Sequence, residues 1–150
     1  MKDIQIHTLG YYVDRTFTNM VKFLNYELTS AGLDLQHPQF AIMMVLASNE
    51  GITQTQLTEF VDRDKSSVSR NIKYLEERGY IERTGESRKK KFLYLTEKGR
   101  KIMPLLYEIS DKDTVNTLQG FSDKKRKEIY EILTKMFLNV SSSIGSKESK

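Results

Sequence analysis

The chain has 150 residues, a net charge of +4 and no cysteine. That length can bury a sizeable core without metal or disulfide support, and the missing thiols exclude disulfides, thiolate zinc sites, cysteine nucleophiles and thiol-based oxidant sensing. No run of about 18 apolar residues occurs, and "MKDIQIHTLG" lacks the apolar stretch of a signal peptide, so neither export nor a membrane span is expected and the protein is expected in the cytoplasm.

Leu9, Tyr12, Val13, Phe17, Met20, Val21, Leu24 and Leu28 follow the three-and-four spacing of an amphipathic helix, which Gly32 ends. Pro38 suits the first turn of a short second helix carrying Phe40, Met43, Met44 and Leu46, and "EGI" then makes a turn and a strand stub. In "TQTQLTEF", Thr53 and Gln56 have the spacing of a capping box, with Leu57, Phe60 and Val61 as the buried stripe. Asp64 caps the next helix, whose buried line is Val68, Ile72 and Leu75 and which Gly79 closes. Two short helices joined by a tight turn make a helix-turn-helix.

The period then changes from 3.6 to 2. "YIERT" and "FLYLT" are strands with Leu93 and Leu95 on one face, and the basic stretch between them forms the tip of a hairpin, with Gly85 at the sharp turn. Thr96 caps a long helix through Ile102, Leu105, Leu106 and Ile109 that contains Pro104. Ser122 caps a last helix with Ile129, Ile132, Leu133, Met136, Phe137 and Val140 on one face. The expected fold is mainly α: a winged helix-turn-helix, a three-helix core with a β-hairpin wing, flanked by N- and C-terminal dimerisation helices. The domain plan is a single domain over 1–150, with dimerisation helices at 1–32 and 104–141, the winged helix-turn-helix at 37–99 and a disordered tail at 142–150. Apolar outer helices of this kind usually cover themselves with a second copy.

Charge is concentrated in one segment. From Asp62 to Lys101 there are 13 Lys/Arg against 7 Asp/Glu, while the rest of the chain carries 11 against 13. A concentrated basic patch is the electrostatic footprint of a nucleic-acid binder. On the helical wheel Ser66, Arg70, Lys73 and Glu77 lie opposite Val68, Ile72 and Leu75. Small hydroxyls at a helix start let backbone N–H groups approach phosphate, and the Arg70 fork fits a guanine edge or a phosphate pair. In "GESRKKK", Arg88 lies near the hairpin apex and Lys89, Lys90 and Lys91 follow where phosphates would flank a groove. Glu86, two residues before Arg88, makes sense if its carboxylate orients that guanidinium for a narrow minor groove.

"DKSSVSRNIKYLEERGYIERTGESRKKKFLYLTEKG" resembles the core of the MarR (multiple antibiotic resistance regulator) family of transcription factors. More loosely, "LQHPQFAIMMVLA" resembles the family's second helix and "GFSDKKRKEIYEILTKM" its last. The resemblance implies a homodimer built from the first and last helices, each subunit bringing a winged helix to a pseudo-palindromic double-stranded DNA site. It assigns Ser66, Ser67, Ser69, Arg70 and Lys73 to the recognition helix in the major groove, Arg88 to the wing arginine in the minor groove and Glu86 to its acidic partner. Two departures stand out: Asp62 and Arg63 occupy the turn where the family usually has Gly and an apolar residue, and the wing is richer in lysine, which favours phosphate affinity over base reading.

The resemblance also implies a regulator, usually a repressor, released by a small aromatic or anionic effector in a cleft whose candidate residues are His7, Tyr11, Tyr12, Arg15, Phe40 and Met44. His7 and His37 with Asp34 or Glu27 lack metal-ligand spacing, so no metal and no cofactor is expected. No phosphate-binding glycine motif, nucleophile elbow or carboxylate pair in an apolar setting is present, so no enzyme is expected. The rival from another class is a winged helix that docks an acidic protein partner.

Overall fold

The computed structural model describes residues 8–61, 64–87 and 90–148, with backbone alone at Glu86, Ser87, Lys90 and 145–148. Its elements run α1 (Leu9–Ser30), α2 (His37–Ser48), β1 (Ile52–Thr53), α3 (Gln54–Val61), α4 (Lys65–Glu77), β2 (Ile81–Ser87), β3 (Lys90–Leu95), α5 (Glu97–Thr117) and α6 (Asp123–Glu148). This is a winged helix-turn-helix with long helices at both ends. The chain forms two compact units, Met1–Asp113 and Thr114–Lys150, and the division falls inside α5.

Local chemistry sets the element ends. The Thr8 hydroxyl accepts the Tyr11 N–H at 3.3 Å to open α1, and beyond its end the Leu33 N–H donates to the Leu28 carbonyl at 3.0 Å. At α2 the Gln36 N–H donates to Gln39 Oε1 at 2.8 Å, with Pro38 in the first turn. The capping box expected at α3 is formed: the Thr53 N–H donates to Gln56 Oε1 at 2.9 Å and the Gln56 N–H to the Thr53 hydroxyl at 3.3 Å. Asp64 caps α4, and Gly79 follows it with φ +70°, a left-handed backbone that side-chain-bearing residues resist.

The core of the first unit is centred on α2, which buries Phe40, Ile42, Met43 and Leu46 and is apolar around most of its circumference. Leu57 of α3, the Val68, Ile72 and Leu75 stripe of α4, and Met103, Leu106 and Ile109 of α5 belong to the same cluster. β3 is the central strand of an antiparallel sheet ordered β1-β3-β2, pairing Ile52 with Leu93 on one side and Ile81 with Leu95 on the other.

Three expectations are corrected. Phe60 is not part of a buried stripe but 56% exposed. The covered arc of α3 is Gln54, Leu57, Thr58 and Val61, centred about 50° round the wheel from Leu57, and Phe60 falls on the other side of Leu57. Gly85 is not the hairpin tip. β2 continues to Ser87, which pairs with Lys90, and Gly85 lies at the register shift between Thr84 and Ser87, where a strand glycine commonly marks a bulge. Nor does the chain unwind at residue 142. α6 continues to Glu148, with the Ser142 and Ser143 hydroxyls donating back to the Asn139 carbonyl at 3.0 and 2.8 Å, so these serines are accommodated inside the helix.

Thr96 locks the winged helix to α5. Its hydroxyl donates to the Gly79 carbonyl and accepts the Gly99 N–H at 3.0 Å, while its own N–H donates to the Tyr80 carbonyl at 3.0 Å. Gly99 sits so close to the backbone ahead of β2 that an added Cβ would overlap the Tyr80 carbonyl oxygen. Backbone cannot yield as a flexible side chain would. Gly99→Ala is therefore expected to lower the unfolding free energy by about 1–3 kcal/mol, despite alanine's better helix propensity; a urea titration with a midpoint at or above wild type would contradict this close approach.

Candidate nucleic-acid interface

The α4 stripe Val68, Ile72 and Leu75 is essentially removed from water, so the opposite face is turned outward. Ser66, Ser69, Arg70 and Lys73 are exposed there and Ser67 is half-buried. Asp64 organises the start of the helix, accepting the Ser66 hydroxyl at 2.5 Å and the Ser67 N–H at 2.8 Å. These bonds, the Ser66 hydroxyl foremost, hold its carboxyl below the ordinary carboxylate range. The Ser67 N–H that looked open to a phosphate is therefore already satisfied within the chain. Lys73 lies 3.7 Å from Glu77, both well exposed. Such a pair is weak and readily exchanged for a phosphate.

Several cations of the basic segment serve the fold instead. Arg83, the first residue of "RTGESRKKKF", pairs through Nε with Glu76 Oε1 at 2.7 Å and reaches Gln54 Oε1 at 3.4 Å, so it joins β2 to α4 and α3. Arg78 donates to Asp34 Oδ2 through Nε at 3.0 Å and Nη2 at 2.7 Å, with its guanidinium 3.3 Å from the centre of the Tyr74 ring. The Tyr74 hydroxyl donates to the Asp34 carbonyl at 2.9 Å, and the Arg78 bond holds the Asp34 carboxyl below its usual range. Lys98 donates to the Arg78 carbonyl at 2.7 Å, and Arg100 pairs with Glu50 at 2.8 Å. Arg70, Lys73 and exposed Lys91 remain on the outward surface. Arg88 and Lys89, together with Asp62 and Arg63 of the turn, lie outside the described residues, as do the side chains of Glu86 and Lys90.

Sequence reasoning missed the residues that aim α4. Gln39 caps α2 with its Oε1 and donates through Nε2 to Asn71 Oδ1 at 2.6 Å, while Asn71 Nδ2 donates to the Ser67 carbonyl at 2.8 Å. The Gln36-to-Gln39 spacing signals the cap, but nothing local signals the bond to Asn71. The Asp34–Arg78 pair spans 44 residues and has no local signature either.

A cleft of about 120 Å³ lies within the first unit, lined by Phe17, Met20, Val21, Leu24, His37, Phe40, Ser110 and Asp113. Of the candidate effector residues that are described, only Phe40 lines it. Met44 packs against the core, Tyr11, Tyr12 and Arg15 are exposed on α1, and His7 lies outside the described residues. Asp113 places Oδ1 out of solvent with no hydrogen-bond partner, and burial raises its carboxyl above the usual range. Among the described residues no group of three or more His, Asp or Glu is placed to hold a metal ion, and no helix is long and apolar enough to cross a membrane.

A helix-turn-helix whose second helix presents Ser, Arg and Lys outward, followed by a basic β-hairpin, defines a winged-helix DNA-binding protein. Residues 32–91 match the family model described as MarR family. The HTH-type transcriptional regulator YybA of Bacillus subtilis strain 168 is 33% identical over 110 residues, which cover 72% of this chain and 73% of that protein. An HTH-type transcriptional regulator of Bacillus cereus strain ATCC 14579 is 30% identical over 142 residues, covering 91% and 92%. The crystal structure of a MarR transcriptional regulator from Methanosarcina mazei Go1 superposes with a TM-score of 0.81 at 27% identity, over 89% of this chain and 90% of that one. The chain belongs to the MarR family of transcriptional regulators. Its relatives are regulators, not enzymes.

Because Gln39 links the α2 cap to α4, removing its side chain loosens both. Gln39→Ala is expected to lower stability by about 1–2 kcal/mol. In a double-mutant cycle with Asn71→Ala the two effects should fall short of additivity by roughly 0.5–1.5 kcal/mol. Strict additivity in denaturant titrations would mean that the bond does not hold α4.

Proposed function

We propose that this regulator is a homodimeric repressor that inserts α4 into the major groove of each half of a pseudo-palindromic operator and the wing arginine, Arg88, into the adjacent minor groove. The observation that carries this reading is the outward face of α4, where Ser66, Ser69, Arg70 and Lys73 stand opposite a stripe buried in the core. Arg70 reads a base edge, and Lys73 with Lys89, Lys90 and Lys91 holds phosphates on either side. Glu86 orients Arg88. The protein acts in the cytoplasm.

Dimerisation is supported by apolar side chains that the single chain leaves wet. On α6 these include Ile132, Phe137 and Val140, at 57%, 62% and 61% exposure, and on α1 Leu9, Val13 and Phe17. On each helix, apolar surface of this kind is usually covered by a partner. Repression follows from occupying a promoter, and release follows when a small effector enters the cleft beside Phe40 and displaces α2, the helix that holds Asn71 through Gln39.

Gel-shift titration on the DNA upstream of the protein's own gene tests this reading. Arg70→Ala should relax preference at one base pair per half-site by roughly 1–3 kcal/mol, and Arg88→Ala should cost more on A·T-rich than on G·C-rich flanks. Lys91→Ala should weaken all duplexes alike and shrink the salt slope by about one. Wild-type affinity and selectivity in both arginine variants would overturn the assignment and leave the hairpin as a surface for an acidic protein.

A further inference from the structure

The cleft among α1, α2 and α5 has a polarity unlike that of an anion site. Its ionisable lining groups are the Asp113 carboxyl from α5 and the His37 imidazole from α2, and α1 contributes only Phe17, Met20, Val21 and Leu24. Among the described residues neither Lys nor Arg lines it. Lys112, next to Asp113 in sequence, is turned to Glu108 at 3.2 Å and Glu27 at 3.6 Å, and Arg15 is exposed outside the lining. A carboxylate ligand would thus be set beside a carboxyl with no Lys or Arg among the described lining residues to offset the repulsion.

We propose that this cleft takes a small ring-bearing ammonium ion whose N–H groups donate to Asp113 while its ring lies among Phe17, Met20, Leu24 and Phe40. The inference rests on the effector reading for its consequence at DNA, and on the cleft alone for the ligand's chemistry. Asp113 lines the cleft, and a charged donor placed there meets a carboxyl that has no Lys or Arg beside it among the described lining residues. The cleft volume, about 120 Å³, is close to the ~150 Å³ of apolar cavities that take up benzene, so it suits one ring and a short substituent. His37 packs edge-on to Phe17 with ring centres 5.5 Å apart, and it brackets Gln39 together with Phe40. A ligand pressing on these two side chains therefore presses on the turn of α2 that holds Asn71 at 2.6 Å.

Calorimetric titration of the full-length chain at about pH 7.5 with benzylamine, benzoate and benzyl alcohol tests the proposal. The three probes share a ring and differ in charge. Benzylamine is expected to bind at least about tenfold more tightly than benzoate, and Asp113→Asn, which keeps the side chain's shape, should abolish that preference while leaving benzyl alcohol within about twofold. Benzoate binding as well as benzylamine, no saturable benzylamine binding, or benzylamine affinity unchanged by Asp113→Asn would each overturn it. Should the variant misfold, the three wild-type titrations decide alone. Repeating the gel shift with each probe separates the two readings. Asp113-dependent benzylamine binding without any change in DNA affinity sustains the ligand class and defeats effector release. Benzoate that both binds better and releases DNA sustains effector release and defeats the ligand class.

Discussion

The interface rests on the burial of one stripe. Val68, Ile72 and Leu75 of α4 lie in a core centred on α2, a helix apolar around most of its circumference. Each such side chain contributes about 1.5–3 kcal/mol by leaving water. No rotation of α4 keeps all three covered while turning Arg70 or Lys73 inward. The outward display of Arg70 and Lys73 therefore follows from apolar packing on the other side, and needs no attraction among the polar groups of that face.

Packing fixes which face is out, but directional polar contacts fix its aim. Gln39 grips the middle of α4 through Asn71, Asp34 grips its end through Arg78, and Arg83 with Glu76 ties it to the wing strand. The positive segment consequently has two populations of cation. Arg78, Arg83, Lys98 and Arg100 hold elements of the winged helix together, while Arg70, Lys73 and Lys91 stand on its surface. Net charge along the sequence overstates what is available to a polyanion, because a guanidinium already bonded to a carboxylate must break that bond to meet a phosphate. α2 unites the two tasks, since the turn that lines the cleft with His37 and Phe40 also carries Gln39.

What could be read from the sequence was what short-range chemistry determines. The Thr53–Gln56 box, the Asp64, Thr96 and Ser122 caps, and the 3.6-residue stripe of α4 each depend on residues three or four apart, and each is formed. The errors arose where distant chain segments decide. Phe60 has helical spacing from Leu57, yet the covering helices shield the other flank of α3. Gly85 read as a tip because turn and bulge both favour glycine, and only the Ser87–Lys90 pairing separates them. Asp34 with Arg78, Gln39 with Asn71, and Asp113 in its cleft join positions with no periodic relation, so residue type alone carried no sign of them. Of the recognition-helix candidates all five are on α4, four exposed and Ser67 partly covered, whereas among the described residues the cleft shares only Phe40 with its candidate set.

The central claim is that α4 meets base edges from the major-groove side. Methylation of guanine N7 places a group in that groove alone, so interference footprinting on the bound operator tests it directly. Two clusters of interfering guanines about one helical turn apart, ~34 Å, with the contact nearest Arg70 lost in Arg70→Ala, are the predicted result. Tight, sequence-selective binding that no N7 methylation disturbs would contradict the account.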